Sequence, residues 1–312
     1  MIWSDFFLRI LFLIAKTAFF CLFLIFILWI LLVLDWDAFF KTFFRINPFW
    51  WMGALFIKTL VLGLRGFRCY LLFLPDSKLS LGTSIRYHIL SQFGNVIFPA
   101  KMGEGAKVFL LKTHSDKSFW QVLFLVIGER ILDAWCVFLA LAFILQQPPF
   151  SNSFQIMGYF FGGIAGILTL FLCSALSTQW IEKLHLPSKL RKKSLLTLTL
   201  IIWAGEILGL SFFLNAFHLG NWYQAVAVTF FYHLAIAIPN TPGNIGVFEM
   251  VYVYAFGLFL IPPEASLSLA CTVQMSLFLL YILLGFLVLS YEGMNVSTLK
   301  ELGKKKQPQI VS

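Results

Sequence analysis

Three charged side chains interrupt an otherwise apolar run at residues 118–145, and they could form ion pairs with other side chains or with a charged substrate. Glu129, Arg130 and Asp133 fall within an arc of about 100° on a helix, so they share one face. One charge at the centre of a membrane helix costs about 2.5–3.5 kcal/mol, whereas a Leu, Ile, Phe or Val returns only about 0.3–0.6 kcal/mol. We therefore expect these side chains to be paired or to face water. They form either a buried salt-bridge network or a direct contact with a charged substrate.

Basic side chains on a second apolar run could complement those carboxylates. Lys58, Arg65 and Arg68 lie within an arc of about 80° on a helix over residues 50–74. This spacing predicts that they partner the two acidic residues across a cavity. Arg65 and Arg68 also suit a plainer role as anchors whose charged ends reach the membrane surface.

Two further segments, residues 83–112 and 223–260, are rich in Pro, Gly and Asn at their centres. The candidate binding residues there are Asn95, Pro99, Lys101, Gly103, Glu104 and Lys107 in the first segment, and Pro239, Pro242, Gly243, Gly246 and Glu249 in the second. Each segment reads as two short apolar helices joined by a break, which is typical of a re-entrant hairpin. Free backbone groups at such a break are tolerated only inside protein or beside a water-filled cavity. Two tilted full spans remain an alternative for the second segment, whereas the four charges over residues 101–112 disfavour a span in the first.

These breaks predict an anion site. Helices that begin after Gly103 and Gly243 would point unpaired N–H groups and positive dipole ends into a cavity. Lys101 and Lys107 add positive charge, so a phosphate headgroup is the natural ligand. Glu104 and Glu249 either stabilise the starts of these helices or contact a lipid amine or a coupling proton.

The composition predicts that membrane-spanning helices position these residues. Of 312 residues, 60% are hydrophobic and 12% charged, compared with about 45–50% and about 25% in soluble domains. The sequence therefore predicts an all-α, polytopic membrane protein with one membrane domain over residues 1–290 and a short basic tail over 291–312. The six predicted full spans are residues 10–34, 50–74, 118–145, 156–176, 195–217 and 264–290.

The placement of charge predicts the orientation of these spans. The net charge of +9 arises from basic residues between the apolar runs, which fits the positive-inside rule better than nucleic-acid binding. Residues 177–194 are basic and 146–155 uncharged, which puts both termini on the cytoplasmic side of the plasma (inner) membrane. The five scattered cysteines form no metal or disulfide framework, and we expect no cofactor.

A weak internal repeat relates the two halves. Pro99 is followed four residues later by Gly103, and Pro239 four residues later by Gly243. The surrounding units, residues 50–145 and 195–290, both read span–hairpin–span but in opposite orientations. Inverted repeats with broken helices near the membrane midplane are a common plan of transporters.

Three motifs in this order resemble the lysylphosphatidylglycerol synthase transmembrane-region (flippase-like) family. They are N-x-x-x-P-x-x-x-G-E over residues 95–104, Glu129-Arg130-x-x-Asp133, and Pro239-x-x-Pro242-Gly243-x-x-Gly246-Val247-x-Glu249. The resemblance covers roughly residues 55–290. The chain departs from it at Ala100 and Asn244, where glycine is common.

The resemblance implies a function in lipid metabolism. Well-understood members fuse this domain, which flips an aminoacylated phospholipid, to a cytoplasmic synthase, whereas stand-alone members are linked with polyprenyl-linked or other lipids. We expect a non-enzymatic flippase for a phospholipid or polyprenyl-linked lipid with an anionic headgroup. The alternative is a membrane-embedded transferase or an accessory subunit in lipid or lipid-linked glycan synthesis. Further partners would be lipid- or glycan-synthesis enzymes, or a second copy of the chain packed on the small-residue face Gly158, Gly162 and Gly166.

Overall fold

A computed structural model describes residues 35–74, 78–99, 101–175, 189–237 and 241–304. The predicted span at residues 10–34, together with Ala100 and Pro239, lies outside these ranges. The described residues contain helices and turns and no strand. The helices are α1 (Trp36–Phe43), α2 (Pro48–Phe73), α3 (Leu81–Ile97), α4 (Met102–Thr113), α5 (Phe119–Ile144), α6 (Asn152–Ala175), α7 (Lys189–Ala216), α8 (Trp222–Ala235), a 3₁₀ turn (Pro242–Asn244), α9 (Val247–Gly257), α10 (Pro263–Glu292) and α11 (Val296–Lys304).

Three of these helices contain stretches long and apolar enough to cross a membrane. They are Asn152–Phe171, Lys193–Ala216 and Pro263–Glu292. Helices α2 and α5 have 26 residues each, which is also long enough, but each carries three charged side chains. The chain is therefore a polytopic helical membrane protein.

Helix α7 begins earlier than the sequence pattern predicts. It starts at Lys189 instead of residue 195, so part of the basic segment forms its first turns. Lysine and arginine are good helix formers, so a basic sequence can continue a helix beyond its apolar part. The apolar pattern marks where a helix enters the bilayer, not where it begins.

The first hairpin is an antiparallel pair made by α3 and α4. The Tyr87 hydroxyl on α3 lies 2.9 Å from the Nδ1 atom of His114, which follows α4. This contact holds the two arms together away from the tip. At the tip, a Cβ on Gly103 would overlap the carbonyl oxygen of Ser91 and lie 2.7 Å from the backbone nitrogen of Asn95. Only glycine allows this approach. Lys101 turns the chain with a φ of 55°, so α4 begins at Met102, slightly before the predicted start.

The second hairpin is made by α8, the 3₁₀ turn and α9. Its break uses three left-handed residues: Gly243 (φ 60°), Asn244 (φ 61°) and Gly246 (φ 85°). Asparagine adopts this conformation more readily than most residues, which explains how it replaces a glycine at 244. A helix cannot pass through such angles, so α9 begins at Val247 and not after Gly243 as predicted.

Two units, α2–α5 and α7–α10, make equivalent contacts. Their first helices, α2 and α7, pack against each other. The first arm of each hairpin packs on the last helix of the other unit, α3 on α10 and α8 on α5. The 3₁₀ turn of the second hairpin also contacts α3. The tips of the two hairpins therefore meet inside the helix bundle.

Two short helices lie beside this bundle. Helix α1 packs on α10, where Phe39 and Leu267 form a small core. Helix α11 belongs to the predicted basic tail and packs on α4, with Val296 against the core of the first hairpin. The second arm of that hairpin is thus braced by the C-terminal part of the chain.

Candidate functional site

A cavity of about 180 Å³ lies between the two hairpins. All eight helices of the two units contribute to its lining. This volume holds several water molecules or a small ionic group. Its position follows from the breaks, because each hairpin stops inside the bundle and leaves space beyond its tip.

Two cations near the tip of the first hairpin, Arg130 and Lys101, supply positive charge to the cavity. Arg130 on α5 is 3.1 Å from Glu104 on α4 and 3.6 Å from Asp133. The Arg130 side chain is 43% exposed, so part of the guanidinium remains available. Lys101 also lines the cavity and has no ion pair within the described ranges.

A second charged group links α2, α5 and α7. Glu206 pairs with Lys58 and, at 3.1 Å, with Arg65. Arg65 also lies 3.3 Å from Asp133. Arg68 holds Asp133 through two hydrogen bonds of 2.8 and 2.9 Å. The predicted pairing of Arg65 and Arg68 with Asp133 is therefore confirmed. Lys58 was wrongly paired in the sequence interpretation, because Glu206 on the adjacent α7 is its partner.

Lys107 and Glu129 lie away from the cavity. They form a buried ion pair, with the lysine Nζ 3.5 Å from Nδ1 of His88. Lys107 is therefore not free positive charge beside the break. On the charged face of α5, Glu129 and Asp133 thus belong to buried ion pairs, whereas Arg130 reaches the cavity.

The charged residues that line the cavity are Lys58, Arg65, Lys101, Arg130, Glu104 and Glu206. Four cations and two carboxylates leave a net charge of +2. Low-dielectric helix walls strengthen the resulting field inside the cavity. Such a site attracts an anion.

Sequence reasoning missed the neutral polar groups of the cavity. Thr229 and Tyr252 line it and are each only 4% exposed, and Tyr281 joins them from α10. Oγ1 of Thr229, like Oδ1 of Asn95, has no hydrogen-bond partner among the residues described. The available signal was a hydroxyl group within an apolar helix, which ordinary core packing also produces.

Of the remaining candidate residues, Gly243 lines the cavity, whereas the others that the structure describes shape the hairpins. Pro99 and Pro242 are exposed at the two breaks, whereas Gly103 and Gly246 are buried in them. The Glu249 carboxylate accepts a 2.7 Å hydrogen bond from the Gly246 N–H, so it stabilises the start of α9. Pro239 lies outside the described residues. Within the described ranges, no cluster of three or more His, Cys, Asp or Glu side chains could hold a metal ion.

Comparison with known proteins adds one finding. The family model described as "Lysylphosphatidylglycerol synthase TM region" matches residues 11–285. No curated protein matches the chain. The matched range includes both hairpins and every charged residue of the cavity.

Proposed function

The chain belongs to the lysylphosphatidylglycerol synthase TM-region family, and from that premise we propose that it translocates a phosphate-containing lipid headgroup through the cavity. The lipid is a phospholipid or a polyprenyl-linked lipid. Its headgroup crosses between the hairpins while its tails stay in the bilayer. This role needs no covalent chemistry from the protein.

The observation that carries the proposal is the net positive charge of a cavity lined from both hairpins. Lys101 faces it without an ion pair in the described part of the chain, and Arg130 is only partly neutralised by Glu104. Charge-assisted hydrogen bonds from such groups bind phosphate oxygens well. A phosphate therefore finds partners here that hydrocarbon lacks.

The same arrangement lowers the barrier to crossing. Moving a charged headgroup into hydrocarbon is costly because it loses its hydration. Fixed cations and polar groups in the cavity replace part of that hydration. The broken helices put these groups where a continuous apolar helix would present only hydrocarbon.

We further propose six full spans with the two hairpins re-entering from opposite sides of the plasma (inner) membrane. The equivalent contacts of the two units support an inverted repeat of this kind. The basic residues at the start of α7 and the basic C-terminus support a cytoplasmic location of both termini under the positive-inside rule. Each hairpin then gives the cavity access from one face of the membrane.

Purified protein in liposomes tests this function directly. Lipids labelled on an acyl chain are present in both leaflets, and a membrane-impermeant reductant added outside destroys the label that reaches it. Wild-type protein should make the inner-leaflet label accessible without any added donor substrate. If no phosphate-containing lipid moves faster than in empty liposomes, the flippase role is wrong and a transferase or accessory subunit is the better account.

A matched pair of lysine variants assigns the activity to the cavity. Lys101→Gln removes the unpaired cation and should lower the rate about tenfold or more, because a hydrogen bond to a charged group is worth about 1.5–3 kcal/mol. Lys78→Gln removes an exposed lysine whose side chain is 62% accessible and which pairs with Asp116 on the surface. That variant should transport like wild type.

A further inference from the structure

Each acidic side chain that lines the cavity in the described part of the chain already has a basic partner. Glu104 pairs with Arg130, and Glu206 pairs with Lys58 and Arg65. The two deeper acids, Asp133 and Glu129, are also paired, as described above. An ammonium group entering the cavity would have to displace one of these resident cations. It would also meet the repulsion of the remaining positive charge.

Among the described residues that line the cavity, the atoms without a hydrogen-bond partner are two neutral oxygens and one carboxylate oxygen. Oγ1 of Thr229 is buried and has no hydrogen-bond partner, and neither has Oδ1 of Asn95. The hydroxyl groups of Tyr252 and Tyr281 add two groups that both donate and accept. One oxygen of Glu104, Oε2, likewise lacks a hydrogen-bond donor. Buried polar groups without partners are costly, so a ligand that satisfies them gains affinity.

Hydroxyl groups match this set better than any other common headgroup chemistry. Each can donate to a carbonyl or carboxylate oxygen and accept from a tyrosine or threonine. The ring of Phe248 stacks on Tyr252 with centroids 4.2 Å apart and lies 4.7 Å from the ring of Tyr232. These rings offer an apolar wall to the C–H groups of a polyol.

We propose that the transported headgroup carries an uncharged polyhydroxyl group on its phosphate, and that the cavity disfavours headgroups that carry an ammonium group. This inference rests on the proposed function. Lys101 and Arg130 bind the phosphate. Thr229, Tyr252, Tyr281 and Asn95 bind the hydroxyl groups. Glycerol, inositol and sugar phosphates share this chemistry.

Four acyl-labelled lipids test the proposal on wild-type protein in liposomes of one fixed lipid matrix. Phosphatidylglycerol has the anionic phosphate and a diol, and phosphatidic acid has the phosphate alone. Phosphatidylethanolamine and phosphatidylcholine carry ammonium groups. Phosphatidylcholine is the most demanding comparison, because aromatic rings bind quaternary ammonium groups. We expect phosphatidylglycerol to move fastest, phosphatidic acid more slowly, and both ammonium lipids about tenfold more slowly than phosphatidylglycerol.

The outcomes separate the two proposals. If an ammonium lipid moves as fast as phosphatidylglycerol, the rejection of ammonium is wrong although the flippase function stands. If phosphatidic acid moves as fast as phosphatidylglycerol, the polyhydroxyl preference is wrong. If none of the four moves, the proposed function fails for phospholipids and this inference fails with it.

Two variants that each remove one hydroxyl group place the preference in the cavity. Thr229→Val and Tyr281→Phe keep the shape of the side chain and should each lower the rate ratio of phosphatidylglycerol to phosphatidic acid about fivefold. Thr59→Val removes an exposed hydroxyl on α2 that bonds only to the Leu55 carbonyl, and its ratio should match wild type. Thermal unfolding confirms that each variant is folded. An unchanged ratio in both folded cavity variants overturns the polyhydroxyl assignment.

Discussion

Lys107 and Glu129 form an ion pair in which the lysine side chain has 0% and the glutamate side chain 2% solvent exposure. The pair joins α4, the second arm of the first hairpin, to α5. The cavity depends on this joint, because α4 carries Glu104 and α5 carries Arg130. Removing one partner of a buried ion pair leaves the other charge buried and unpaired, which strongly destabilises a protein. Both partners are buried here, so the loss of either one should have this effect.

Breaking this pair should therefore destabilise the protein more than removing it whole. Lys107→Met leaves Glu129 buried without a cation and should lower the free energy of unfolding by about 3–5 kcal/mol. The double variant Lys107→Met/Glu129→Leu should recover most of that loss, because two apolar side chains fill the site. Thermal unfolding in detergent measures both. A single variant as stable as wild type would show that the pair is not a structural joint.

Arg68 and Arg130 both contact the Asp133 carboxylate, but they differ in solvent exposure. Arg68 is 1% exposed and holds Asp133 through two hydrogen bonds, whereas Arg130 is 43% exposed and Asp133 keeps two other arginines without it. Arg68→Gln should cost about 3–5 kcal/mol of stability. Arg130→Gln should cost about 1 kcal/mol or less but lower transport of anionic lipids about tenfold.

Stability and transport measured on both variants test the structural role of Arg68 and the transport role of Arg130. If Arg130→Gln transports normally while folded, Arg130 is not part of the headgroup site. If Arg68→Gln is as stable as wild type, the buried network does not hold α2 to α5.

The sequence predicted the charged network only in outline. Three charges in one apolar run predicted pairing, because each unpaired charge in a bilayer is costly. The pairing of Arg65 and Arg68 with Asp133 was predicted, whereas the partner of Lys58 was not, since Lys58 and Glu206 are 148 residues apart and meet only through the packing of α2 on α7. The access of the Arg130 side chain to the cavity likewise depends on where the first hairpin stops.

The breaks were easier to predict than the cavity wall. Gly103 and Gly243 marked the hairpin tips, because close approach and a left-handed backbone both select glycine. The positive φ of Lys101 had no signal, since lysine has no preference for that conformation. Tyr252 and Tyr281 could not be distinguished from ordinary core aromatics, because only the three-dimensional packing shows that they line the cavity.

Gly103 should tolerate no side chain. Gly103→Ala puts a methyl group onto the carbonyl of Ser91, which should push the hairpin arms apart and lower stability by about 1–3 kcal/mol. Gly63→Ala is the matched control, since nothing lies within 4 Å of its added Cβ and α2 should gain about 0.5–1 kcal/mol. Chemical or thermal unfolding compares the two. Equal effects would mean that the arms do not need this contact.

The proposed orientation can be checked with single cysteines in a background in which the native cysteines are replaced by alanine. Asp116→Cys, on the exposed turn after α4, should react only with a label supplied from the cytoplasmic side. Asn152→Cys and Trp222→Cys are exposed and should react only from outside. Labelling of intact cells and inside-out vesicles reports each side. External labelling of Asp116→Cys would show that α4 crosses the membrane, which rules out a re-entrant first hairpin.

Bulky substitutions on the two hairpins separate transport from chemistry. Val96 on α3 and Ile236 at the end of α8 are apolar, half-buried residues that line the cavity from different hairpins. Val96→Trp and Ile236→Trp should each fill the headgroup path and lower transport about tenfold or more, because a path is blocked by an obstacle at either end. Filling open space should leave the packed core of the bundle unchanged, so both variants should unfold near the wild-type temperature.

Two exposed positions on the same hairpins provide matched controls for this last experiment. Leu81 is 40% and Ile245 47% exposed, and neither lines the cavity. Leu81→Trp and Ile245→Trp should transport like wild type in the same liposomes. A catalytic site serves one face of the membrane and has no need of both hairpins. If Val96→Trp is inactive while Ile236→Trp transports normally, the headgroup does not pass between the tips, and a one-sided enzyme or accessory role fits the cavity better.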